Sequence, residues 1–202
     1  HRGCTLANGG QPALCRQSDH QCVPALSPDC AEVLGAADLA NDDNTVVFGV
    51  MAALSGPDRI GSGLPTRNGT ELARSDFRKS VTGLPALSPT GGRRPMAFVV
   101  CDDVVDPIRA ARHLANELAV PAIVGPANSG VTLEVANTVT IASQTLVMST
   151  TATSPLISDL ADNGLVWRTS PSDLLQAQAI SLYIPLVEQR VHREATGEQG
   201  AV

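Results

Sequence analysis

An α/β fold, with a mostly parallel sheet between layers of helix, is predicted by three observations. Short apolar runs recur after position 44 with helical stretches between them, few hairpin signals interrupt that alternation, and the composition suits a sizeable core. The 202 residues are 43% hydrophobic and 17% charged. A compact chain of this length buries on the order of 70% of what its unfolded form exposes, so the fold does not have to rest on disulfides. Fourteen Lys and Arg against twenty Asp and Glu leave a net charge of −6, with the basic residues scattered. That pattern lacks the electrostatic footprint of a nucleic-acid binder, and no apolar run approaches the roughly 20 residues that cross a bilayer.

Taken in order, 45–51 (TVVFGVM) is β-branched and apolar at nearly every position, as in a strand covered on both faces. A Gly- and Pro-bearing loop runs from Leu54-Ser55-Gly56-Pro57 to Pro65. From 66 to 81, Leu72, Ala73, Phe77 and Val81 recur near helical spacing, predicting a helix. After a breaker-rich connection over 85–95, 96–101 (MAFVVC) gives a second buried strand. Asp106-Pro107 is a start signal for a helix to about 119, because proline lacks the one N–H that a first turn leaves unbonded. A third strand covers 121–124 and ends in Gly125-Pro126. A helix follows over 129–142, then a fourth strand over 144–148. Ser154-Pro155 opens a short helical turn, 165–169 is a fifth strand, and a long helix runs from 171 or 172 to about 193. The polar stretch 194–202 reads as a linker or truncated end.

Residues 1–44 read differently. Cys4, Cys15, Cys22 and Cys30 crowd among Gly, Pro, Ser and Asn with no hydrophobic period, predicting an irregular leader. An even number of cysteines in such a segment suggests two disulfides in an oxidising compartment. Three pairings are open, of which Cys4 with Cys15 and Cys22 with Cys30 joins neighbours. Zinc, with His20 as a further ligand, is the rival, but the close Cys pair of structural zinc sites is missing. Cys101 reads as a small buried hydrophobe. The chain opens on His1 and not Met, so it reads as a processed or excised piece.

No catalytic constellation emerges, so no enzyme and no cofactor is expected. Asn128-Ser129-Gly130 lacks the glycine two residues before the serine that a nucleophile elbow needs. Gly61-Ser62-Gly63 does not open a helix directly behind a strand as a dinucleotide fingerprint would. His1, His20, His113 and His192 fall in the leader or on expected helix surfaces, where solvated histidines are the ordinary reading. Asp102, Asp103 and Asp106 are read as a loop brace and a helix cap, with no metal assigned. Asn68-Gly69-Thr70 fits a glycosylation sequon, and Asn68 with Glu71 also suits a helix start.

Two polar loops remain, at the ends of neighbouring strands. Residues 125–130 (GPANSG) place a hydroxyl where a helix N-terminus attracts anions, and 149–155 (STTATSP) offer five hydroxyls behind a buried strand. In open α/β sheets such loops border ligand sites. They are equally read as ordinary helix caps.

The order of motifs is familiar. Val46-Val47-Phe48-Gly49 with Leu54-Ser55-Gly56, Asn68 to Ala73, Asp106-Pro107, Ala122-Ile123-Val124-Gly125-Pro126 then Ser129, Ala152-Thr153-Ser154-Pro155, and Arg168 to Asp173 with Gln176-Ala177 resembles the type I periplasmic binding proteins. The likeness covers about 45–190 and looks closest to the leucine/isoleucine/valine-binding branch. It implies a three-layer α/β lobe over 45–193, the first of two, with the second lobe missing. It also implies a periplasmic or extracellular receptor, lipoprotein-anchored in one arrangement, that delivers a small amino-acid-like ligand to the membrane permease of an ABC transporter. A sensory ectodomain is the alternative. The implied ligand-binding set is Ser129, Thr151, Ala152, Thr153, Ser55 and Asn128. Ser129 and Thr153 would hold the ligand carboxylate, Thr151 and Thr153 would serve the head group, and Ser55 would border the cleft.

Overall fold

The computed structural model describes residues 1–197. The five expected strands form in it as β4 (Val46–Ala52), β5 (Met96–Asp102), β6 (Ala122–Val124), β7 (Leu146–Ser149) and β8 (Val166–Arg168). They lie in the order β5-β4-β6-β7-β8, all parallel. The chain steps one way from β4 to β5, then crosses back to lay β6 on the other side of β4. Strand order therefore reverses beside β4, and the loops leaving the carboxyl ends of β4 and β6 diverge there, the position at which open sheets hold ligands.

Each strand divides its side chains between two covers, as period-two geometry requires. Val47 and Met51 of β4 with Ala97, Val99 and Cys101 of β5 enter the larger core. Val50, Ala52 and Val100 face the smaller one. Helices α4 (Pro107–Arg112) and α5 (Ser129–Val135), each widening into a π turn (His113–Glu117 and Ala136–Thr140), supply Leu114, Val135 and Val139 to the larger core. Leu114 fits because a Cβ on Gly49 would stand 2.8 Å from its methyl. Helix α3 (Gly63–Val81) lies against the other face, and a 3-10 turn (Pro57–Arg59) precedes it.

Asp106 caps α4 as expected, its carboxylate accepting the Arg109 N–H at 2.9 Å. Ser154 caps the 3-10 turn Pro155–Ile157 in the same way. Helix α3 starts three residues earlier than the periodicity suggested, because Gly63 lets the backbone close on the β4 loop: a Cβ there would lie 1.8 Å from the Ala53 carbonyl. Asn68 and Glu71 consequently sit inside α3 and not at its start, and Glu71 pairs with Arg74 at 2.8 Å.

The leader is not irregular. It folds as α1 (Arg2–Ala7), a hairpin of β1 (Ala13–Cys15) and β2 (Cys22–Pro24), β3 (Glu32–Leu34) and α2 (Ala36–Asn41). Strand β3 pairs antiparallel with β5 and extends the main sheet to six strands. Propensity missed these elements because they are too short to show a period, and tertiary pairing imposes them. The neighbour pairing of cysteines is also wrong. Cys4 bonds Cys22, Cys30 bonds Cys101, and Cys15 is free. Cys101 is thus no mere hydrophobe: it fastens the leader to β5 across 71 residues of sequence. Asp29 reinforces that seam, its carbonyl accepting the Asp102 N–H at 2.8 Å and its carboxylate pairing with Arg109 at 2.5 Å. His113, expected on a surface, is buried. One ring nitrogen meets Glu117 at 2.7 Å and the other the Ala25 carbonyl at 3.1 Å, which ties α4 to the leader.

Helix α6 (Asp173–Thr196) absorbs the start of the expected linker, whose residues 198–202 lie outside the described part. None of its side chains is buried. No described helix is long and apolar enough to cross a membrane.

Gly125 closes the sheet's central junction. Its φ is +92° and a Cβ would stand 2.0 Å from the Met51 carbonyl. Gly125→Ala should cost about 3 kcal/mol in urea unfolding, from steric overlap and left-handed strain together. Gly164, at φ +77° with open space around it, should lose only about 1 kcal/mol as Ala. Equal losses would show that contact with β4 is not the constraint.

Candidate functional site

The loops behind β6 and β7 emerge side by side because those strands pair in register, Val124 opposite Met148. Four hydroxyls then lace one loop to the other. Ser149 is fully buried and donates to the Pro126 carbonyl at 2.6 Å. It also accepts the Ala152 N–H at 3.3 Å and the Thr132 hydroxyl at 3.4 Å. Thr151 donates to the Ala127 carbonyl at 3.0 Å. Ser129 Oγ accepts two backbone N–H groups, from Thr153 at 3.1 Å and Ser154 at 3.3 Å.

Ser129 and Thr153, 24 residues apart in sequence, are therefore brought together. With both acceptor positions of its oxygen engaged, the Ser129 O–H proton remains free to be donated. The Thr153 hydroxyl has no protein partner among the described residues, while its N–H is committed to Ser129. Asn128 does something different from its neighbours. Its carboxamide oxygen accepts the Gly130 and Val131 N–H groups at 2.8 and 3.3 Å, so it caps α5 and takes up donors that an anion would otherwise meet. Ala152 is buried. Ser55 lies half-buried on the β4 loop, which Asp102 braces by accepting the Leu54 N–H at 3.1 Å.

A cavity of about 660 Å³ opens beside these loops, between α3 and the sheet. Ser62 and Thr66 line it on the helix side, Phe98 and Val124 on the sheet side, and Thr150 and Thr151 at its rim. Two bracing residues of the site carry no signal in the sequence that marks them as such. Ser149 is one of five equivalent hydroxyls in 149–155, and only its burial distinguishes it. Arg168, on β8, donates to the Ser154 carbonyl at 2.6 Å and to the Ser158 hydroxyl, holding the far end of the Thr-rich loop. The helix following β8 is anchored to the same loop, since the Asp173 N–H donates to the Thr153 carbonyl at 2.9 Å.

No protein-family model and no curated protein matches the chain. Solved structures do. An ABC transporter substrate-binding protein from Desulfitobacterium hafniense in complex with Leu superposes with a TM-score of 0.55 at 25% identity, over 72% of this chain and 39% of that one. The branched-chain amino acid transporter substrate binding protein of Streptococcus pneumoniae in complex with isoleucine gives 0.54 at 20% identity, over 64% and 34%. A leucine binding protein from Thermotoga maritima gives 0.55 at 19%, over 68% and 36%. The fold is that of one lobe of a type I periplasmic binding protein. The chain spans little more than a third of the length of those structures. In the type I lobe the laced loops sit at the carboxyl edge of the sheet, beside the reversal of strand order.

One carboxyl at that edge is perturbed. Asp103 follows β5, its N–H donating to the Ala52 carbonyl at 3.1 Å and its side chain buried. Burial, with the charge of neighbouring Asp102, pushes it up from 3.8 to about 6. The folded lobe thus holds a proton there that the unfolded chain releases. The resulting stabilisation is complete below pH 3.8 and is lost as pH rises to about 6. Asp103→Asn should abolish this contribution to the pH slope and raise stability near pH 7 by about 2 kcal/mol. Thermal unfolding at several pH values checks it, and an unchanged slope would remove the assignment.

Proposed function

We propose that the chain supplies the first lobe of an extracytoplasmic solute-binding protein serving an ABC-type uptake system, and that Ser129, Thr151, Ala152 and Thr153 grip the head group of an amino-acid-like ligand. One observation carries the reading: the hydrogen bonds from Thr153 and Ser154 N–H to Ser129 Oγ, which turn two separate loops into one surface. Two hydroxyl donors without a protein acceptor among the described residues, Ser129 and Thr153, suit a carboxylate. The Thr151 carbonyl, free of hydrogen bonds among the described residues, suits an ammonium. Recognition by neutral donors is consistent with the absence of any charged side chain from 125–130 and 149–155.

Ser55 fits as a residue of the cleft border, and Asn128 as the group that sets the angle at which Ser129 is presented. The two disulfides fit an oxidising compartment. A second lobe and a membrane permease complete the proposed system, since ligand sites normally bury most of the ligand surface. Binding by a single lobe should accordingly be weak, with affinity in the millimolar range or poorer.

Titration of the chain with L-leucine and L-isoleucine, followed by amide NMR, tests the proposal. Resonances of Ser129 and Thr151 to Thr153 should shift at millimolar ligand. Thr153→Val should weaken the effect about tenfold, the worth of one hydrogen bond to a charged group. Shifts confined to other parts of the lobe, or none with any α-amino acid, would overturn it.

A further inference from the structure

Three cysteines meet on one face of the leader hairpin. Cys15 and Cys22 are register partners across β1 and β2. The Arg16 N–H to Gln21 carbonyl and Ala25 N–H to Pro12 carbonyl bonds, both 2.9 Å, set the phase of the ladder. Cys15 and Cys22 therefore occupy a pair not bonded to each other, and the Cys15 N–H turns away to His1 Nδ1 at 3.1 Å. Such pairs bring Cα atoms to about 4.5 Å with side chains on the same face, inside the range of roughly 4.4–6.8 Å that a disulfide spans. Cys22 is already bonded to Cys4, which reaches it from α1. Cys15 is half-buried and Cys22 exposed, so the attacking and attacked residues lie outside the core, whereas Cys4, on α1, is buried.

We propose that the leader is a thiol–disulfide exchange site in which Cys15 displaces Cys4 from Cys22. The Cys15 thiolate attacks Cys22 Sγ. The Cys15–Cys22 bond forms as the Cys22–Cys4 bond breaks, and the bonding pair leaves on Cys4 Sγ, which takes a proton from solvent in place of the one Cys15 gave up. One disulfide and one thiol stand on each side, so no oxidant is consumed. The product staples the hairpin to itself and frees α1 from its covalent tie. Helix α1 then keeps the Thr5 side-chain bonds with the Ala13 backbone, both 3.3 Å, the Arg2 N–H bond to Asp43 at 2.8 Å and the pairing of the His1 ammonium with the same carboxylate at 2.6 Å. Six residues are too few to hold a helix alone, so exchange leaves the Cys4 thiol on a short segment held only by these polar contacts and its packing.

Differential alkylation of the whole chain tests this. The protein is incubated under nitrogen at mildly basic pH, labelled with iodoacetamide, then denatured, reduced and labelled with the heavy reagent before peptide mass mapping. The light label should appear on Cys4 as well as Cys15. The Cys4 share should be unchanged on dilution and should vanish in Cys15→Ser. Cys4→Ser, oxidised with glutathione disulfide, should form a Cys15–Cys22 bond and lose both thiols. Light label confined to Cys15 in the unaltered chain overturns the proposal whatever Cys4→Ser does, and a Cys4 share that falls on dilution overturns its intrachain course.

Discussion

The joining of the loops behind β6 and β7 depends on hydroxyl groups that bond to backbone across a loop boundary. Ser149, Thr151 and Ser129 each spend a side-chain oxygen on the neighbouring loop. A buried serine with no such partner would carry a desolvation cost of about 1–3 kcal/mol, and Ser149 avoids it by donating to the Pro126 carbonyl while accepting from Ala152 and Thr132. The cross-loop bonds thus work in both directions. They satisfy polar groups that the strands carry into the interior, and they fix the distance between two segments that the sequence leaves 20 or more residues apart. Gly125, pressed on the Met51 carbonyl, extends the same constraint to β4.

The leader is held to this frame by a second set of bonds of a different kind. A disulfide, a carboxylate–guanidinium pair and a buried histidine all cross from residues 1–44 to β5 and α4. The result is that β3 covers what would otherwise be the exposed edge of β5, an open invitation to pair with another chain. Its Glu32 also pairs with Arg67 of α3, so the added strand is tied on the side of the sheet opposite α4 as well.

The parallel core was legible because apolar runs separated by helical periods have few alternative readings. Asp106-Pro107 and Ser154-Pro155 marked helix starts because proline and a capping oxygen make the same local demand wherever they occur. The leader was not legible, since three-residue strands carry no period and their pairing is decided by residues far away. Cysteine connectivity failed for the same reason: the partner of Cys30 lies in β5, beyond any local rule. At the site, residue types pointed to the two loops but could not assign roles. Asn128 and Ser129 are adjacent, yet one closes a helix and the other reaches the next loop, a division set by backbone direction. Similarly, His113 looked like a surface residue because its helix face is covered by the leader, whose fold could not be read.

Helix α6 has the opposite character to the laced edge. Nothing along its 24 residues is buried, large apolar side chains such as Leu182 and Tyr183 stand in solvent, and Pro185 removes one of its internal hydrogen bonds. Its tie to the laced edge is made at its first turn, where the Asp173 N–H donates to the Thr153 carbonyl at 2.9 Å. In this 202-residue chain the opening of α6 is therefore separable from that of the sheet. Deuterium would reach the backbone of α6 through local fraying, while the amides of β4 and β6 would wait for the whole sheet to come apart.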